Sequence, residues 1–94
     1  MSWTWLKRVD AQEGLNRWYA VGVQPSLFDV AAVIRFWGSR EKAYQQGIVR
    51  AFDDAETARQ AADRLIRAKV RRKYQIVGGY VPDGLEQSSA KPGI

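Results

Sequence analysis

The chain has no histidine and no cysteine among its 94 residues, and only one methionine and three prolines. Without histidine or cysteine there is no Ser-His-Asp triad, no cysteine nucleophile, no disulfide and no typical zinc site. General acid–base work would fall to carboxylates, lysine or tyrosine. The ten acidic residues are scattered, and no spacing forces a pair together. No stretch approaches the ~18 consecutive apolar residues of a membrane-spanning helix. The opening Met1-Ser2-Trp3-Thr4-Trp5 lacks a signal-peptide pattern. These absences predict a non-catalytic cytoplasmic binding module with no cofactor, no metal, no membrane association and no small-molecule substrate. The length suits one domain with one modest core, and a hydrophobic content of 46% fits a globular chain.

Charge is unevenly placed. The net +5 arises in one block, residues 64–73, where Arg64, Arg67, Lys69, Arg71, Arg72 and Lys73 stand without an acid. Residues 1–63 hold equal numbers of basic and acidic side chains. Such a block either recruits phosphates or an acidic protein surface, or complements the dipole at the end of a helix. Dipole complementation explains two or three cations but not six, so both readings stay open.

Periodicity orders the chain. Between Asp53 and Arg72 there is no Gly or Pro, and Ala58, Ala62, Leu65 and Lys69 fall on one stripe of a helix. Asp53 is placed to cap it, with Glu56 three residues on. Trp3–Val9, Trp18–Gln24, Ala32–Gly38 and Gly47–Phe52 read as strands, and Tyr74–Val81 as a short strand or extended segment ending at Pro82. The order β-β-β-β-α-β predicts an α+β domain over residues 1–81: an antiparallel sheet with one long helix packed on one face. Residues 82–94 are polar, contain Pro, Gly and Ser, and read as a disordered tail.

At Arg35-Phe36-Trp37-Gly38 the chain resembles the WGR domain, a module of poly(ADP-ribose) polymerases and of small stand-alone bacterial proteins. Other segments match in order. Leu6-Lys7-Arg8-Val9-Asp10 looks like the family's first strand, and Asn16-Arg17-Trp18-Tyr19 like its Asn-Arg-aromatic-Tyr run. Gln24-Pro25-Ser26-Leu27-Phe28 is similar to a linker of the bacterial branch, Phe52-Asp53 leads into the helix, and Lys69 to Tyr74 resembles the closing turn. The resemblance spans roughly residues 5–75. There are departures. Ser39 stands where the name-giving Arg would be, with Arg40 one place later. Arg40-Glu41-Lys42-Ala43-Tyr44 replaces a Gly-rich turn, and Lys73-Tyr74 replaces a Gly-Tyr.

The resemblance implies nucleic-acid contact, with duplex DNA or its ends as the expected ligand. Only Trp37 and Gly38 carry over directly. Arg40 replaces the missing Arg only if the register slips by one, and strand alternation then turns it to the opposite face. The expected interface comprises Trp37, Gly38, Arg35, Arg40, Lys42, Arg67, Arg71, Arg72 and Lys73. An aromatic face stacks on a base or sugar while cations neutralise roughly three to five phosphates. Alternation puts Val33, Arg35 and Trp37 on one face and Ile34 and Phe36 on the other. The competing reading makes Trp37 a core residue. Trp3 and Trp5 share a face with Lys7, and sheet packing is the favoured role for both. Trp18 and Tyr19 point to opposite faces. Nothing indicates base-specific readout. The alternative function is a protein–protein interaction module with a diverged WGR loop, in which Tyr44 serves a protein partner.

Overall fold

A computed structural model describes residues 2–25, 31–39 and 45–88. Its elements are β1 (Ser2–Asp10), β2 (Leu15–Pro25), β3 (Ala31–Ser39), β4 (Gln45–Phe52), α1 (Ala55–Arg71) and β5 (Gln75–Gly79). All five strands form one antiparallel sheet, ordered β4-β3-β2-β1-β5. The α+β fold with one helix on one face is therefore as the periodicity implies.

Local chemistry sets the turns. Asp10 ends β1 and its carboxylate accepts from the backbone N–H of Gln12 and Glu13, at 3.0 and 3.3 Å, which bends the chain into β2. The helix begins one residue later than expected. Asp54, not Asp53, is the N-cap, and its Oδ1 accepts from Thr57 N at 2.7 Å. Thr57 stands three residues beyond the cap, where a Glu would complete a capping box, and its hydroxyl donates to Asp54 Oδ2. These bonds hold the Asp54 carboxyl below its ordinary pKa. At the other end, Lys73 N–H donates to Val70 O and Tyr74 N–H to Lys69 O. That pair of bonds is the Schellman closure, and it places Lys73 at the left-handed position, φ 72°.

The helix leaves the β4 edge, crosses the sheet, and delivers β5 beside β1 at the far edge. Ala58, Ala62 and Ile66 are fully buried against the sheet, where the small Ala side chains admit the backbone closely. Beneath them lie Leu6, Tyr19, Val21, Val33 and Ile76. Burying an aliphatic side chain of this size stabilises by about 1.5–3 kcal/mol. The opposite face carries Trp3, Trp5, Trp18 and Phe36, with Trp3 stacked on Trp5 and Phe36 at 6.1 and 6.0 Å. A glycine faces a ring at close approach in three places: Gly22 opposite Trp3, Gly38 opposite Trp18 and Gly47 opposite Phe36. A Cβ at any of them would meet the facing ring at 2.7–2.9 Å, so the rings lie across bare backbone.

Residues 82–88, assigned by composition to the tail, return to β5 and meet it in a single parallel bridge. Pro82 is buried, Gln87 bridges Ile76, and Ser88 N–H donates to Ile76 O at 2.6 Å. Their polar composition hid a few anchoring contacts. Residues 89–94 lie outside the described residues.

Candidate nucleic-acid interface

Trp37 lies on the helix side of the sheet, half-buried at the edge of the core. Its cross-strand partner is Tyr19, and the two rings stack at 6.0 Å and 17°. Tyr74, placed by the helix closure, meets Tyr19 edge-on at 6.4 Å. The indole packs against the core and is partly exposed, which leaves a contact role open to it.

Cations surround these rings. Arg35 precedes Trp37 by two residues on the same face, its guanidinium 5.8 Å from the indole centroid. It also donates to Tyr19 Oη at 3.4 Å. Lys69 Nζ reaches down from the helix to 4.4 Å from the Tyr19 ring and 5.4 Å from the Tyr74 ring. Arg17 adds a further charge from β2, directly opposite Ser39. The face of β3 that lacks the motif's Arg therefore has a cation across the ladder. A cavity of about 370 Å³ opens here, lined by Arg17, Tyr19, Arg35, Trp37, Ile48, Lys69 and Tyr74, none of them acidic. The crowding is legible in Lys69. Its pKa is lowered, first by burial and then by the neighbouring charges of Arg72, Arg35 and Arg17. Positive charge held together without an acid among its lining residues is poised for an anion.

The expected residues divide. Trp37 and Arg35 line this cluster, and Arg72 stands near enough for its charge to lower the Lys69 pKa. Gly38 lies beside it, but its part is steric: it clears the far face for Trp18, whose ring would stand 2.9 Å from an added Cβ. Arg67 turns away, donating to Asp83 O at 2.7 Å on the flank facing residues 82–88. Arg71 is exposed one turn further along that flank. Lys73 is exposed at the helix closure. Arg40 and Lys42, with Tyr44, lie outside the described residues.

Sequence reasoning omitted Arg17, Tyr19, Lys69 and Tyr74 from the site. The signal was available in two steps. Alternation puts Arg17 and Tyr19 on one face of β2, and helical spacing puts Lys69 one turn past Leu65. Only the register Tyr19↔Trp37 joins the two sets.

A family model described as the WGR domain matches residues 3–79, from the first strand to the last. No curated protein and no solved structure matches the chain significantly. WGR domains are binding rather than catalytic modules, and they generally take nucleic acid in poly(ADP-ribose) polymerase-like proteins. With the match covering every strand and the helix, the chain belongs to the WGR domain family.

Proposed function

We propose that this chain is a non-catalytic module that binds duplex DNA, and DNA ends in particular, on the helix side of its sheet. The observation that carries this reading is the cluster itself. Trp37 offers a partly exposed ring backed by the buried Tyr19 and Tyr74, and Arg17, Arg35 and Lys69 offer charge beside it, with Arg72 near enough for its charge to act on Lys69. At a duplex end, the exposed part of Trp37 packs on the terminal sugar and base while the cations neutralise adjacent phosphates. Binding of this kind is driven by counterion release, so affinity falls steeply as salt rises. Sequence preference is weak in this reading, because the sequence carries no recognition-helix motif, zinc finger or basic zipper.

The test is fluorescence anisotropy with labelled blunt duplex, nicked duplex and single strand at low and near-physiological salt. The reading expects salt-sensitive binding that favours ends and weakens in Trp37→Ala. Absence of binding even at low salt refutes it. The protein-interaction alternative draws its support from another surface, the sheet face opposite the helix. There Trp5 is 48% and Val49 67% exposed beside stacked aromatics. Concentration-dependent self-association abolished by Trp5→Ser would favour that second reading.

A further inference from the structure

The helix lies chiefly over β2 and β3 and covers the edge strand β4 less than either. A groove is left along the helix flank, of about 280 Å³. Its floor is apolar, from Val33, Ile48, Ala61 and Leu65. Its rim is guanidinium: Arg35 at one end, Arg50 from β4 and Arg64 from the helix. None of its lining residues is acidic, and the one ion pair among the described residues, Arg59–Asp63, lies elsewhere. Arg50 is laid over the Phe52 ring at 5.0 Å, which holds the guanidinium at the rim.

We propose that this groove holds the unpaired nucleotides of a single-stranded overhang, whose duplex end sits on the Trp37 cluster. The assignment rests on the duplex-end reading above. Continuity supports it, because Arg35 and Ile48 line both the groove and the Trp37 cavity, so one strand passes from one to the other. Size supports it too. The volume, about 280 Å³, is near the low end for small-ligand pockets and is on the scale of a nucleotide rather than of a duplex. The chemistry is that of single-strand grooves, in which bases rest on apolar and aromatic surface while a row of cations follows the backbone. The three arginines around the rim, from β3, β4 and the helix, give a strand leaving the duplex cations for its phosphates, and guanidinium is suited to bidentate phosphate contact.

The test compares a blunt duplex with the same duplex bearing a short oligothymidine overhang of each polarity, by anisotropy at constant salt. One polarity binds about tenfold more tightly than blunt, the gain expected from one stacked base. Arg50→Gln and Arg64→Gln, both at exposed positions, reduce that ratio toward one and change blunt-end affinity by less. Equal binding of blunt and overhang duplexes overturns this proposal and leaves the duplex-end reading standing. A ratio unchanged in both variants overturns it as well. Failure of every duplex to bind at low salt overturns both. A polyglutamate peptide that displaces the overhang as well as free oligothymidine does would reassign the groove to an acidic protein segment.

Discussion

Lys73 occupies a backbone conformation that suits glycine, and replacing it with glycine should make the protein more stable. Its φ of 72° puts it at the left-handed position of the helix closure, fixed by the bonds from Lys73 N to Val70 O and from Tyr74 N to Lys69 O. A residue with a Cβ is disfavoured there by roughly 1–2 kcal/mol, and glycine gives back about 0.5–1 kcal/mol through its greater freedom when unfolded. The net gain for Lys73→Gly is about 0.5–1 kcal/mol, or about 2–8 °C in Tm for a domain of this size. Lys73→Asn should gain part of that, since Asn tolerates the conformation, and Lys73→Ala should gain nothing. Urea or thermal unfolding followed by far-ultraviolet circular dichroism measures all three. A Lys73→Gly protein that melts at or below the parent temperature would refute the reasoning. So would an Ala variant stabilised as much as the Gly variant, because the effect would then belong to the lost charge. The same variants report on binding: a phosphate contact at Lys73 would lower the salt slope by about 0.9.

Other expectations concern the cluster and its supports. Lys69→Gln should lower the slope of log affinity against log salt by about 0.9 in a duplex titration. Because the Lys69 pKa is lowered by folding, the unfolded chain binds the proton more tightly, so stability rises with pH through the window below the ordinary lysine value. That rise should be smaller in Lys69→Gln, as read by urea unfolding across the alkaline range. Asp54, whose pKa is also lowered, contributes stability that is present above its unfolded pKa and lost as pH falls through the folded one. Asp54→Ala should therefore melt lower than the parent at neutral pH and match it in strong acid. Gly38→Ala forces the Trp18 ring to move from its 2.9 Å approach and should cost about 1–3 kcal/mol in urea unfolding.

Periodicity made the fold legible because each element carries its own signal. Alternation along Ala31–Ser39 placed Arg35 and Trp37 together, and the Ala58–Ala62–Leu65 stripe turned the helix correctly. The site was less legible for a physical reason. Trp37, Tyr19 and Lys69 come from three elements, and what unites them is strand register and the angle at which the helix crosses. Neither is encoded within one segment. The cap moved by one residue because Asp53 and Asp54 are adjacent and equally able to accept a hydrogen bond. The 64–73 charge block split because a helix sends neighbouring residues to different flanks. Arg64 lines the groove toward β4, Lys69 reaches down over Tyr19 of β2, and Arg67 reaches Asp83. Gly38 looked like part of a contact, yet its nearest consequence is on the opposite face, beneath Trp18.

The four tryptophans give the most direct test of where nucleic acid binds. Trp3, Trp5 and Trp18 stand on the open face of the sheet, and Trp37 alone stands on the helix side. Each indole N–H gives its own signal in an amide-type nitrogen–proton correlation spectrum, and single Trp→Phe variants assign all four. On titration with blunt duplex DNA at low salt, the Trp37 indole should shift or broaden while the other three stay in place. Shifts confined to Trp3, Trp5 and Trp18 would contradict the account and move the interface to the opposite side of the molecule.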